Sequence, residues 1–511
     1  MRALLVLALV LPACQRQPLP ADELVVLIEQ PPRNIDPRYT LTSYDFKLSY
    51  LCFARLVSVD DPHLEPHLEL AERIVPVPAT GQEPAWDVFV REARFSDGSP
   101  VTAQDVVYTL EQLLDERTGN SVLRRRFADA GLVWPPQVLG PRQLRLRLRH
   151  PHASILTDLD FGILKRGSIE SGRLIGAGPF VPEGPVGEVS RFVANPHYFG
   201  GAPRIRRLTV RVVRDANARL LSLVGGSADL TQNTISPLLF PAIEQWRDRL
   251  RLDSGPSAIL FYLGMNLEDP HLRDVRVRRA LAHAIDRERI VRTKLHGRAR
   301  LASSMLPALH WAYHEVEQPR YDRARAAQLL DEAGLPDPDG DGPRPRLSLS
   351  YKTSTDALPL SIARVIAAQL AEVGVQVEVR PYEFQVFLSD IKKGNFQLFT
   401  LTTGEVAEPN LMMRYFHSHY IPTPANPDGG HNRFRYRNAE VDALLEAGQR
   451  EMDRARRKAI YARVQQILAQ EVPLVPLWHV DNVVVMRQVV QGYVLLPSAQ
   501  LAGLATTWKR P

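Results

Sequence analysis

A chain of 511 residues, 45% hydrophobic and 23% charged, exceeds what one hydrophobic core holds and implies two or three domains of an ordinary globular protein, not a disordered or membrane-spanning chain. The formal charge of +6 raises the question of nucleic acid. However, Arg145, Arg147 and Arg149 alternate with Leu144, Leu146 and Leu148, which is the pattern of a solvated strand face, so no nucleic-acid partner is expected.

The N-terminus reads as a targeting segment. Arg2 supplies a positive charge, residues 3–11 an apolar run too short to span a bilayer, and Leu11-Pro12-Ala13-Cys14 a small-residue cleavage site. The expectation is a lipoprotein signal over residues 1–14, with Cys14 lipidated and the chain anchored to membrane in the periplasm or cell envelope. Pro12 departs from the commonest pattern, in which a small residue stands there. The second cysteine, Cys52, lies in an apolar run and reads as a small buried hydrophobe.

Residues 24–28 predict a short strand, and 86–90 and 93–95 a strand pair turning through Ser96-Asp97-Gly98-Ser99-Pro100. Thr102 can cap a helix striped by Val106, Val107, Leu110, Leu113 and Leu114. A strand over 144–148 follows. Asp215 or Asn217 opens a helix that Gly225-Gly226 stops, and 228–230 reads as another strand. Residues 262–297 give a strand end, a turn through Glu268-Asp269-Pro270, and two helices. Asp274 caps the first helix and Asp286 the second, Gly297 ends the pair, and Arg276, Arg278 and Arg279 form the wet side.

Beyond lie a helix over 323–333, a strand over 346–351, a helix over 359–373 and a strand over 375–380, the last three making a parallel crossover unit. A helix over 383–393, a strand over 396–401, helices over 438–447 and 453–470 and a strand over 473–480 complete the chain.

Several stretches carry a resemblance. The run FSDGSPVTAQDVVYTLE from Phe95, Gly176-Ala177-Gly178-Pro179-Phe180, Asn195-Pro196-His197-Tyr198-Phe199, Asp215-Ala216-Asn217-Ala218-Arg219, and Asn266 with DVRVRRALAHAIDR beginning at Asp274 resemble, in order, the signatures of family 5 bacterial extracellular solute-binding proteins. These are the peptide, dipeptide, nickel and related receptors of ABC importers. The resemblance implies an α/β, periplasmic-binding-protein-like (class II) fold: two α/β lobes with a hinge plus a smaller extra β-rich domain. Lobe I would comprise 22–58, 165–262 and 481–511, the extra domain 59–164, and lobe II 263–480.

Catalysis finds no support in the chain. His310 and His314 stand i and i+4 without a glutamate between them or a third ligand, and Asp337 to Gly342 fits half of a calcium loop but has Ser348 where a bidentate carboxylate is needed. There is no G-x-S-x-G. No enzyme, cofactor or metal is therefore expected.

The polar stretch Thr402-Thr403-Gly404-Glu405-Val406-Ala407-Glu408-Pro409 follows a strand, and open α/β sheets bind ligands at that end. In the dipeptide receptors it resembles, an acidic residue after glycine pairs with the ligand's α-ammonium. Glu405 takes that place, with Thr403 and Gly404 beside it. Those receptors usually carry Asp at Glu405 and Trp at Thr402, which leaves peptide specificity open. The resemblance also implies that Ser43 and Tyr44 run along the ligand and that Asn432 and Tyr436 line the cleft. The function implied is capture of di- or oligopeptides by a monomer that delivers them to an ABC permease in the inner membrane. A nickel chelate, oligosaccharide or opine as ligand, or a non-transporting sensor, stands as the alternative.

Overall fold

The computed structural model describes residues 19–78, 83–118, 121–340, 342–404, 406–426 and 429–510. Cys14, Glu405 and Asp341 lie outside the described residues. Among the described residues, strands form sheets of seven, six and four strands and two small pairs.

The seven-stranded sheet runs Leu250–Gly255, Asn482–Arg487, Leu230–Gln232, Glu23–Ile28, Arg207–Val212, Val189–Ala194, Phe180–Pro182. Its centre, Glu23–Ile28, pairs in parallel with Arg207–Val212 and Leu230–Gln232. The sequence ELVVLI has no polar alternation because both faces are covered: Leu24, Val26 and Ile28 enter one core, and Val25 and Leu27 enter another on the opposite side.

The six-stranded sheet runs Ala299–Leu301, Leu474–Val480, Leu260–Met265, Leu398–Thr402, Leu347–Ser354, Val375–Tyr382. Leu260–Met265 is buried throughout, with Phe261, Leu263 and Met265 in one core and Leu260 and Tyr262 in the other. Leu347–Ser354 and Val375–Tyr382 are parallel, joined by the helix Ala357–Ala371, whose Ile362, Ile366 and Leu370 pack beneath them, as the crossover unit requires.

The four-stranded antiparallel sheet orders Ala71–Val77, Ala85–Val90, Gln143–Arg147 and Gln137–Gly140. Its core takes in Ala54, Leu56, Val57 and Ala177, so the unit is welded to segments on both sides of 59–164. Residues 93–95 are not a strand. Phe95 donates to the Ser99 carbonyl at 2.8 Å and Arg94 bridges Pro100 alone, which leaves a tight turn.

The helix Val275–His283 is capped by Asp274, which accepts from the Arg276 amide at 2.8 Å, and Arg287–Lys294 by Asp286, which accepts from the Arg289 amide at 2.8 Å. One expectation fails here. Arg278 is not on the wet side but only 5% exposed, donating to the carbonyls of Leu272, Arg273, Glu471 and Val472 at 2.8–3.0 Å. Its Nε and Nη2 satisfy carbonyls left open at the end of the long helix Arg454–Glu471, and its Nη1 those of the turn before Val275–His283, which offsets the burial of its charge.

The chain crosses between the two large sheets twice. Residues 256–259 lead from Gly255 into Leu260, and Asp481 alone separates Val480 from Asn482. The expected boundary at 262/263 therefore cuts a strand that lies wholly in the six-stranded sheet. The two crossings run side by side: the Ser257 hydroxyl donates to the Val480 carbonyl, and the Val480 amide to the Ile259 carbonyl at 3.2 Å. Asn482 is anchored beyond them, donating to the Leu496 and Pro497 carbonyls at 2.8 and 3.0 Å and accepting from the Asn233 side chain at 2.9 Å.

Candidate ligand cleft

The strand Glu23–Ile28 of the first sheet and the strands Leu347–Ser354 and Leu398–Thr402 of the second end on facing loops. Glu29 and Asp356 mark the approach. Burial raises the Glu29 pKa, Arg219 and Lys47 oppose the rise, and Asp356 adds to it from the other lobe.

On the first-lobe side, Thr42 opens the helix Ser43–Cys52 in a reciprocal cap. Its hydroxyl accepts from the Asp45 amide at 3.2 Å, and Asp45 accepts from the Thr42 amide at 2.9 Å. Asp45 also gathers the Arg33 and Leu41 amides at 2.7 and 3.1 Å. Burial pushes its pKa up, but these hydrogen bonds prevail and hold the carboxyl below its usual range. Ser43 is exposed on the first turn. Tyr44 leans toward Glu29 and Arg219, and burial drives its phenol upward in pKa.

On the second-lobe side, Thr403 is buried. Its hydroxyl accepts from the Leu260 amide at 3.0 Å and its own amide donates to the Leu260 carbonyl at 2.8 Å, which ties the loop to the first crossing. Val406 is fully buried, and its amide reaches the Ala258 carbonyl at 3.2 Å. Gly404, between these two anchors, is exposed and has open space around it.

Farther along, Glu408 pairs with Arg457, whose Nε donates to the Gly448 carbonyl at 2.9 Å. Burial raises the Glu408 pKa against the pull of Arg457. His310 faces the Ala407 carbonyl at 3.3 Å, and burial lowers its pKa to about 4. His314 instead meets Gln466 at 3.1 Å, so the two histidines serve different contacts. Among the described residues no group of three or more His, Cys, Asp and Glu is placed to hold a metal ion.

Asn432 does not face the cleft. It is fully buried, with its amide donating to the His417 and Tyr436 carbonyls at 3.1 and 2.8 Å and its oxygen accepting from the Tyr436 amide at 3.0 Å. These bonds occupy the side chain inside its own loop. Tyr436 is likewise turned inward, donating to Glu471 at 2.6 Å. The structure thus places Thr403 and Gly404 on one loop, Ser43 and Tyr44 on the opposite lobe, and Asn432 beneath a neighbouring loop as its brace. A groove of about 660 Å³ on the second lobe, lined by Arg279, His283, Gln318, Arg325 and Gln470, includes none of them.

What the sequence did not single out is the group Arg414, His431 and Arg433 near the same loop. The His431 amide donates to the Arg414 carbonyl at 2.9 Å, and the Tyr415 hydroxyl lies against the Gly404 backbone amide.

Comparison with known proteins agrees with this architecture. The chain is 26% identical over 435 residues to the probable di/tripeptide-binding protein 5 of Pseudomonas aeruginosa, covering 80% of each chain. It is 26% identical over 436 residues to Heme-binding protein A of Haemophilus influenzae, covering 79% of this chain and 76% of that one. Among solved structures, the oligopeptide-binding protein AppA of Bacillus subtilis in complex with a nonapeptide is 25% identical and superposes with a TM-score of 0.75, over 97% of this chain and 100% of that one. The fold is that of the class II periplasmic binding proteins. Residues 74–423 match the model of the bacterial extracellular solute-binding proteins, family 5, and with two lobes on a double crossing and a loop pinned at their junction, the chain belongs to that family.

Proposed function

We propose that the protein is the substrate-binding component of an ABC importer, lipid-anchored through Cys14, that captures peptides between its two lobes and delivers them to a membrane permease. The observation that carries this reading is the pair of adjacent crossings at 256–259 and 481, which lets the facing strand ends close on a solute as rigid bodies. A peptide brings two ionic termini. Burying each needs a partner and full hydrogen bonding, and partners drawn from two closing lobes supply both. Glu405 is assigned to the ligand's ammonium, with Thr403 and Gly404 positioning its loop and Ser43 and Tyr44 facing it from the first lobe. Heme-binding protein A, as similar in sequence as the peptide-binding relative, favours a non-peptide solute as the second reading.

Native mass spectrometry of the purified chain tests the assignment by the mass of what it carries. A mixed di- to pentapeptide library should then shrink the radius of gyration in small-angle scattering as the lobes close. An unchanged radius on saturation counts against closure.

The anchor has its own test. Cys14→Ala should leave an unprocessed precursor or move the protein out of the detergent phase. Partitioning equal to wild type would refute it. No helix among the described residues is long and apolar enough to cross a membrane.

A further inference from the structure

The four-stranded unit, welded to the first lobe, also touches the second. Glu65, on the loop between the paired strands Val57–Ser58 and His67–Leu68, forms an ion pair with Arg454, the first residue of the helix Arg454–Glu471. Just ahead of that helix, the Gln449 carbonyl accepts from the Ala153 amide at 2.9 Å. Gln449 stands in the last turn of Ala439–Arg450, where carbonyls have no partner within the helix, so the Ala153 amide completes it from another part of the molecule.

Each contact is prepared within its own part of the fold. The Arg454 guanidinium lies over the Trp311 ring at 4.9 Å, which steadies a long side chain inside the second lobe. Leu64 is fully buried and takes a left-handed backbone with φ of 57°, a conformation costly for a branched side chain. With Leu64 turned into the core, Glu65 beside it points outward. The loop that presents Ala153 is held from beneath by His152, whose Nε2 meets Asp158 at 2.6 Å and Ser154 at 2.8 Å, all three side chains being buried. Arg126 pairs with the same Asp158 at 3.4 Å.

The boundary itself is polar. No apolar core among the described residues draws on both the four-stranded unit and the second lobe. Contacts without a shared core part and re-form readily, as at a transient interface, whereas the core that joins the unit to Ala54, Leu56, Val57 and Ala177 does not. The unit therefore travels with the first lobe, and its hold on the second is made or broken as the lobes turn about the crossings at 256–259 and 481.

We propose that the four-stranded unit is a clasp: Glu65 on Arg454 and Ala153 on Gln449 hold the second lobe in the closed arrangement and strengthen solute binding without touching the solute. The inference rests on reading the two lobes as closing on a solute. Contacts made only in the closed state shift the balance between open and closed by a fixed amount, so their loss weakens every solute by the same factor.

The test is a charge swap. Glu65→Lys, Arg454→Glu and the double variant, each in the mature full-length chain, are titrated by calorimetry with a mixed di- to pentapeptide library and then with the peptides that bind, taken singly. Each single variant turns attraction into repulsion at a partly exposed pair and should weaken every peptide by a common factor of about 3- to 10-fold. The double variant rebuilds the pair in reverse and should return to within about 2-fold of wild type. Arg454→Glu places an acid in the first turn of a helix, where the dipole favours it, and Glu65 lies on a surface loop, so all three should fold as wild type does. In small-angle scattering the single variants should need more peptide to reach the contracted radius. Wild-type affinity in both single variants, losses that differ from peptide to peptide, or a double variant no better than the singles would overturn the clasp, and the closure reading would stand so long as the radius still shrinks. A library that neither binds wild type nor shrinks its radius would overturn the closure reading, and the clasp with it.

Discussion

Arg55→Met is expected to destabilise the protein by about 3–5 kcal/mol at neutral pH, because it removes one cation from among three buried carboxylates. The Arg55 side chain is 5% exposed and pairs with Asp60 at 2.8 Å, Glu69 at 3.1 Å and Asp160 at 3.2 Å. Its guanidinium also lies over the Tyr50 ring at 4.1 Å. One positive charge does not neutralise three negative ones, so the residual strain appears as raised carboxyl pKa values. Burial first, and then Asp60 and Glu69 against the pull of Arg55, bring Asp160 up to about 6, and burial raises Glu69.

A carboxyl whose folded pKa lies above its unfolded value binds its proton more tightly in the folded state. Its contribution is therefore full below the unfolded pKa and is lost as pH rises through the folded one, here between about 4 and 6 for Asp160. Without Arg55 the same carboxyls should rise further. The deficit of the variant, measured by urea unfolding beside wild type, should be largest at pH 7–8 and shrink toward pH 5. A deficit that is flat or grows on acidification would show that lost packing, not unpaired charge, is the cause.

On the proposed assignment of Glu405 to the ligand's ammonium, Glu405→Gln is expected to weaken peptide binding by about 2–5 kcal/mol, roughly 30-fold to several thousand-fold, since it would leave that ammonium without its counter-ion while keeping the side-chain shape. Glu408→Gln is the contrast. Glu408 pairs with Arg457 and accepts from the Asn410 amide at 3.4 Å, so its charge is committed within the protein, and its loss should lower the melting temperature more than the affinity. Calorimetric titration with the peptide library and its N-acetylated form reads the first effect, and thermal unfolding the second. Equal affinity of Glu405→Gln and wild type, or indifference to acetylation, would remove the ammonium role and shift the reading toward a non-peptide ligand.

Elements whose signals are local were legible in the sequence. Thr102, Asp274 and Asp286 each announce a helix with a side chain that accepts from its own first turn, and each does so in the structure. The strand Ala71–Val77 was not legible, because it lies at the edge of its sheet with most of its side chains exposed and so shows no apolar alternation. Arg278 was misread for the opposite reason. Helical spacing says which face a side chain leaves from, but not that the carbonyls of a helix two hundred residues away converge on that face. The place of the polar loop directly behind Leu398–Thr402 was legible, since the strand before it announces where the loop begins. Arg414, His431 and Arg433 could not, since their proximity depends on one backbone bond between distant segments.

The side-by-side crossings have a genetic consequence. The second lobe enters and leaves through residues hydrogen-bonded to one another, and both of its cores draw only on residues between Leu260 and Val480. It therefore has the topology of an insert spliced into a surface loop of a host domain, with its ends close enough to be ligated. A gene fragment covering 258–480 carries both cores of the lobe whole, so it is expected to fold by itself, and a host retaining the seven-stranded sheet is expected to accept a foreign second lobe at the same two splice points.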